Sequence, residues 1–320
     1  MTAFPSMQSL VQTYLEERRS AGFALEIPGK LLMGFARFSD QRGHRGPITE
    51  QLILDWVQGC ARRATPFTWA RRLQTIRPFA RFCLRIDRAT YIPEQTIFGR
   101  AKRRLTPHIY TDREITDLLR AAGQLKPEGT LRPATYKTLF GLIAATGLRL
   151  SEALKLRFVD LDFARSVLTV RQTKFAKSRL VPLHPSVTAA LSRYAVVRKR
   201  AIPAEPKSFF FVGSSGTALP KSTVHHAFQQ LRKGLGWKAR GSHPFPRIHD
   251  LRHTFICRRV QLWHEQGADI DHAMLALATY VGHAKVSDTY WYLTGVPDLM
   301  AVAGRNFEGF VESRRRRPSE

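Results

Sequence analysis

Apolar and polar positions alternate with the period of an α-helix through the first 90 residues of the chain. The spacing predicts a first helix that ends at Gly22, a second over 30–40, a third after the N-cap Thr49 and a fourth that opens at Thr65 and Pro66. The apolar positions of the first helix are Met7, Leu10, Val11, Tyr14 and Leu15. The fourth helix contains several arginines among its aromatic residues. We therefore expect these helices to form a small, basic, all-helical domain.

Residues 93–110 combine proline, glycine and a basic cluster without periodicity, which is typical of an extended linker. Thr111 and Glu114 then have the spacing of a capping box, the signature of a helix start. We therefore predict a helical domain over 1–92 and a second domain over 111–313. A basic tail over 314–320 follows it.

The second domain opens with two predicted helices, near 112–122 and 133–146, and then the period changes. Residues 166–184 alternate β-branched positions on both sides of a polar turn, which predicts a β-hairpin. With the preceding Phe-Val-Asp-Leu-Asp stretch it would form a three-stranded antiparallel sheet. A further helix ends at Gly234. The fold class is therefore mainly α with a small antiparallel sheet (α+β).

The net charge of the chain restricts the possible functions more than any single residue does. The 320 residues carry a net charge of +26, of which the run Arg314–Arg317 supplies only four, so the folded body itself is strongly basic. Such a body favours a polyanion partner, most simply nucleic acid. No apolar run approaches the ~20 residues of a membrane span, and the first residues have no signal-peptide pattern. Three scattered cysteines form neither a disulfide framework nor a zinc site, which favours the cytoplasm.

Four stretches carry the residues that could perform chemistry: ATGLRLSEALKL, TKFAKSRLVPL, HDLRHTF and VGHAKVSDTYWYL. They place six candidates in chain order: Arg149, Lys174, His249, Arg252, His283 and Tyr292. Two arginines can clamp the non-bridging oxygens of a phosphate, and a helix start after Gly147 would add backbone N–H groups. A tyrosine can attack the phosphate if cationic groups activate it, and a lysine can protonate the leaving oxygen.

The ordered set resembles the tyrosine recombinases, or phage-integrase family, in T-G-x-R-x-S-E, K-x-x-K-x-R-x-V-P-L, H-x-L-R-H-T-F and Gly-His followed nine residues later by Tyr. The motifs cover about 108–295, and the N-terminal helices resemble the family's core-binding domain. The resemblance implies a two-domain clamp around double-stranded DNA that performs site-specific recombination without metal or nucleotide cofactor. It also implies a homotetramer on two DNA sites, with sister recombinases as a further option, in the bacterial cytoplasm or nucleoid.

The resemblance also implies a role for each candidate. Tyr292 would attack a DNA phosphate and form a 3′-phosphotyrosyl link, with Tyr290 as the weaker candidate. Arg149 and Arg252 would bind that phosphate, and His283 would donate a hydrogen bond to it. Lys174, with Lys177 as its rival, would protonate the leaving 5′-oxygen, and His249 would act as acid and base.

Two features depart from the family or lie beyond its motifs. The stretch between Arg252 and His283 is several residues longer than the usual spacing, and we expect its Trp263, His264 and His272 to serve packing and surface. The pattern of residues 297–312 predicts a short amphipathic helix. We expect this helix to pack either on its own chain or on a neighbouring protomer. The tail would touch DNA.

Three functions remain open at this point. The first is strand exchange, with integration of a mobile element as the expected use. The second is relaxation of DNA by a type IB topoisomerase, which resembles this set in its arginines, lysine, histidine and tyrosine. The third is a DNA-binding partner without catalytic activity on the same fold.

Overall fold

The computed structural model describes residues 5–59, 65–99, 105–171 and 178–291. The chain divides into two compact units, residues 1–104 and 105–320. Lys174, Lys177, Tyr292, residues 297–312 and the tail lie outside the described residues. None of the helices in the described ranges is long and apolar enough to cross a membrane.

Four helices form the first unit: α1 (Met7–Ser20), α2 (Glu26–Gln41), α3 (Glu50–Gly59) and α4 (Pro66–Leu84). The predicted caps are confirmed, because the Thr49 hydroxyl accepts from the Leu52 N–H and the Thr65 hydroxyl accepts from the Thr68 N–H. Aromatic rings pack among aliphatic side chains in the core, where Phe79 lies edge-on against Tyr14. Phe98, inside the segment predicted as linker, packs edge-on against Trp69 of α4.

The described part of the second unit contains eight α-helices, one short 3-10 helix (Phe158–Asp160) and one sheet. The helices are α5 (Asp112–Ala122), α6 (Leu131–Thr146), α7 (Leu150–Ala153), α8 (Pro185–Ala201), α9 (Lys221–Gly234), α10 (Ile248–Glu265), α11 (Ile270–Val281) and α12 (Ser287–Tyr290). The capping box of Thr111 and Glu114 is confirmed at the start of α5. The end of α9 at Gly234 is also confirmed.

The predicted three-stranded antiparallel sheet is confirmed. Its strands are β1 (Leu161–Asp162), β2 (Val167–Val170) and β3 (Arg179–Pro182), paired in the order β1-β2-β3. Leu168 and Val181 lie opposite each other and are both fully buried, which fixes one face of the hairpin on the core. Arg179 at the start of β3 is thereby held beside the site described below.

Candidate active site

Three arginines converge on the C-terminal end of α11. Arg179 Nε donates to the carbonyl oxygen of Tyr280 at 2.8 Å, and Arg252 Nη2 donates to that of Val281 at 2.7 Å. Arg149 Nη2 donates to the carbonyl of Gly282 at 2.9 Å. The last carbonyls of a helix lack partners within the helix and carry the negative end of its dipole, so this end is suited to cations.

The three arginines come from different elements, and the local fold explains how each arrives. Arg149 is the N-cap residue of α7, Arg179 begins β3 and Arg252 lies one turn into α10. Gly147 ends α6 with a φ of +64°, a left-handed conformation that favours glycine, and its carbonyl accepts from Arg252 Nη1 at 2.6 Å. Arg252 therefore joins the end of α6 to the end of α11.

Glu152 is the acidic residue of this cluster. Its carboxylate accepts from Arg179 Nη2 at 2.9 Å, from Arg149 Nη1 at 2.8 Å and from the backbone N–H of Arg149 at 3.0 Å. Burial alone would raise the pKa of Glu152, but the hydrogen bond and charge of Arg179, together with Arg149, lower it to about 2. At the helix start after Gly147, where backbone N–H groups were predicted to favour a phosphate, the N–H of Arg149 thus donates to a carboxylate of the chain itself.

The two arginines predicted to bind phosphate differ in how far they are exposed to solvent. The Arg149 side chain is 34% exposed, whereas Arg252 is 1% exposed. Arg252 donates to two main-chain carbonyls, which carry no net charge, so these bonds hold its guanidinium without cancelling its charge. Glu152 pairs with Arg149 and Arg179, so the three guanidinium groups and this carboxylate together carry a net positive charge.

His249 and His283, the two predicted site histidines, lie in the electrostatic field of these arginines. Desolvation, followed by the charges of Arg252 and Arg149, lowers the pKa of His283 to about 3. Desolvation, followed by the charge of Arg252, lowers the pKa of His249 to about 4. His249 is nevertheless exposed to solvent. A ring that is both accessible and crowded by protein atoms lies on a concave surface, as a binding site requires.

A third histidine links the site to the segment that leads to Tyr292. The ring of His253 packs edge-on against His249, with centroids 4.8 Å apart, and edge-on against Trp291 at 5.5 Å. Trp291 follows α12 and packs against the small apolar cluster of α10 and α11. Tyr290 is 37% exposed.

The structure therefore brings together Arg149, His249, Arg252 and His283 from the predicted set. The roles of all six predicted residues remain predictions. The longer stretch between Arg252 and His283 forms the second half of α10, a turn and α11. It leaves His283 beside the arginines. Trp263 packs in the α10 and α11 cluster, while the His272 side chain is 90% exposed and pairs with Asp269.

Sequence reasoning gave no role to Glu152, Arg179, His253 or Thr289. Glu152 and Arg179 stand inside the quoted motifs, and the spacing of Arg149 and Glu152 is that of an N-cap and its third helical residue. That spacing was the available signal. The carbonyls of α11 belong to the backbone and leave no signal in the sequence.

Comparisons with known proteins show what the chain as a whole is similar to. The model of the "Phage integrase family" matches residues 109–295. "Putative integrase/recombinase y4rB" of Sinorhizobium fredii is 39% identical over 97% of this chain and 99% of its own length. "Tyrosine recombinase XerD" of Caulobacter vibrioides is 30% identical over 93% of this chain and 92% of its own.

A solved structure supports the same fold. The Tn1549 transposon integrase in complex with transposon right end DNA has a TM-score of 0.67 and 17% identity, and the match covers 96% of this chain and 100% of that one. At this identity the likeness shows the fold alone. The family model and the relatives establish the family, and the chain belongs to the phage integrase family, the tyrosine recombinases that break and rejoin DNA.

Proposed function

We propose that this chain is a site-specific recombinase in which Tyr292 attacks a phosphate of duplex DNA, forms a 3′-phosphotyrosyl link and releases a 5′-hydroxyl. The observation that carries the proposal is the group of three arginines on the end of α11, two of which share the carboxylate of Glu152. A phosphodiester brings the negative charge that this group lacks. Fixed donors of this kind stabilise the charge that develops in phosphoryl transfer.

Each cluster residue then has a role that its environment supports. Arg149, which is partly exposed, meets a phosphate oxygen from the surface, and Arg252 supports the same phosphate from beneath. His249 is accessible and neutral at pH 7, so it can accept a proton and return it during attack and rejoining. His283 donates a hydrogen bond to the phosphate.

Lys174 protonates the leaving 5′-oxygen, with Lys177 as the rival. Both lysines belong to the turn that connects β2 and β3 in the sequence. Arg171 directly before this turn pairs with the buried Asp160, and Arg179 after it pairs with Glu152. The two ion pairs anchor the described residues on either side of the turn.

The biological reaction that we propose is integration or excision of a mobile element, carried out by a homotetramer on two DNA sites in the bacterial cytoplasm. The relative from Sinorhizobium fredii is named as an integrase/recombinase, and the structural neighbour is an integrase of a transposon. The net charge of +26 supports a DNA partner. We further propose that residues 1–92 form the core-binding domain and 111–313 the catalytic domain, joined by the basic stretch 93–110.

A covalent trapping assay tests the proposal. Wild type, Tyr290→Phe and Tyr292→Phe are incubated in EDTA with nicked suicide DNA from the flanks of the gene, and denatured samples are examined for protein on a 3′ end. We expect an adduct with wild type and Tyr290→Phe and none with Tyr292→Phe. An adduct with Tyr292→Phe would refute the assignment, and intact DNA binding without any adduct would favour the DNA-binding protein without catalytic activity.

A further inference from the structure

Thr289 contacts His283 from within the protein. The Oγ1 atom of Thr289 lies 2.7 Å from Nδ1 of His283, and Thr289 is 0% exposed. Thr289 lies in α12, three residues before Tyr292, whereas His283 lies in the turn after α11. This hydrogen bond therefore joins a predicted phosphate-binding side chain to the helix that leads to the predicted nucleophile.

The number of hydrogen-bond partners of the Thr289 hydroxyl determines which group is the donor. A hydroxyl has one proton to donate, and Nδ1 of His283 is the one partner of the Thr289 hydroxyl among the residues that the structure describes. If Nδ1 were protonated and donated to the oxygen, the buried hydroxyl proton would have no acceptor there, which is costly. The arrangement that satisfies both groups has Thr289 donating and Nδ1 accepting.

The protonation state of the ring gives this donor assignment a chemical consequence. Desolvation and the charges of Arg252, Arg149, His249 and Arg179 lower the pKa of His283, so its imidazole is neutral at pH 7. A neutral imidazole carries one proton, on one nitrogen or the other. With Nδ1 accepting from Thr289, the proton is on Nε2, where the ring can donate to an incoming anion.

We propose that Thr289 is a positioning residue that holds His283 as the Nε2–H tautomer, so that a neutral ring donates to the scissile phosphate. The benefit for catalysis rests on the proposed function, whereas the tautomer itself does not. The same bond fixes α12 relative to His283. A positioning group of this kind selects the nitrogen that acts, as second partners of metal-bound histidines do.

The first test measures the tautomer directly in the full chain without DNA. With ¹⁵N-labelled histidine, long-range ¹H–¹⁵N spectra distinguish a protonated ring nitrogen from an accepting one. We expect the accepting signature on Nδ1 of His283 in wild type. A protonated Nδ1 in wild type would overturn the proposal, and this measurement requires neither a variant nor DNA cleavage.

The second test compares Thr289→Val, which keeps the shape without the hydroxyl, with Thr289→Ser, which keeps the hydroxyl. We expect Thr289→Val to lose the single tautomer and to form the covalent adduct on suicide DNA roughly tenfold to a hundredfold more slowly. DNA affinity should stay near wild type, and Thr289→Ser should restore both the tautomer and the rate. A Thr289→Val protein with the wild-type tautomer and rate would overturn the proposal.

The two tests separate this inference from the proposed function. If wild type forms no adduct while its Nδ1 accepts and Thr289→Val changes the tautomer, the assigned reaction fails and the positioning of His283 stands. If wild type forms the adduct through Tyr292 but Nδ1 is protonated, the reaction stands and the role of Thr289 fails.

Discussion

Arg179 and Glu152 form a buried ion pair beside the predicted phosphate-binding arginines. Arg179 Nη2 lies 2.9 Å from Oε2 of Glu152, and the two side chains are 10% and 7% exposed. The same carboxylate also holds Arg149. Glu152 therefore fixes the distance between the start of α7, where Arg149 is the N-cap residue, and the start of β3, which follows the turn that contains Lys174.

Removal of this carboxylate charge should destabilise the second unit. We expect Glu152→Gln to lower the free energy of unfolding by about 3–5 kcal/mol, because two arginines lose their shared counter-charge in a buried setting. Asp117→Asn is the matched control, since Asp117 pairs with Arg113 and Arg120 on an exposed helix face and should cost at most about 1 kcal/mol. Urea denaturation of the full chain measures both. Equal losses for the two variants would contradict the role of Glu152.

Gly147 combines a left-handed backbone with a close neighbour. A Cβ at this position would lie 2.6 Å from Cδ1 of Phe255, whereas Gly129, with a φ of +73°, has nothing within 4 Å of the same added atom. We expect Gly129→Ala to cost about 1 kcal/mol for its backbone alone and Gly147→Ala to cost roughly 1–3 kcal/mol more for the clash. Thermal unfolding compares them, and equal melting temperatures would show that Phe255 moves away freely.

Gly147→Ala should also slow adduct formation, because the Gly147 carbonyl holds Arg252. Gly129→Ala should leave the adduct rate on suicide DNA unchanged. An unaffected rate in Gly147→Ala would mean that the carbonyl does not position Arg252.

Acid should destabilise the second unit through its buried histidines. Desolvation, followed by the charges of neighbouring cationic groups, lowers the pKa of His253 to about 2, and its residue is 4% exposed. The folded state keeps this ring neutral while the unfolded chain takes up a proton near pH 6.5. Stability is therefore complete above pH 6.5 and falls as the pH is lowered through that value, by about 1.4 kcal/mol per pH unit for one proton.

Thermal unfolding of wild type and His253→Gln between pH 7 and pH 5 measures this contribution. We expect the variant to lose less stability than wild type on acidification, because one of the protonating groups is gone. Identical pH dependence in the two proteins would show that His253 titrates normally in the folded state.

An inorganic oxyanion should stabilise the arginine cluster. Because the three guanidinium groups and the Glu152 carboxylate together carry a net positive charge, millimolar sulfate should raise the melting temperature in a saturable way. Sulfate also stabilises proteins generally by exclusion from their surface. Arg149→Ala is the control that isolates the site, and an equal increase in that variant would show that sulfate does not bind there.

The elements were predictable wherever a side chain marks their ends. Thr65 and Thr111 cap helices as their spacing indicates. The second helix was predicted from residue 30 but begins at Glu26, because its N-cap, Leu25, has a left-handed φ of 43° and no capping side chain. No propensity rule anticipates a leucine in that conformation. Tertiary packing therefore decides this boundary.

The candidate site divides in the same way. Arg149, His249, Arg252 and His283 could be predicted because an ordered set of side chains resembles a family. Their supports could not, because a buried threonine such as Thr289 is indistinguishable in sequence from any other helical threonine. Its partner becomes visible only when α12 folds back on the turn after α11.

The three arginines donate to backbone oxygens at the end of α11. The site therefore depends more on the length of α11 than on which side chains this helix contains. A side-chain substitution in α11 leaves the carbonyls of Tyr280, Val281 and Gly282 in place, so drift in sequence along this helix is compatible with a working site. One inserted residue would instead rotate these oxygens by about 100° around the helix axis, since a turn has 3.6 residues. A single-codon insertion would then break the hydrogen bonds of three arginines at once. The number of residues in α11 is therefore as much a requirement of the active site as any side chain in it.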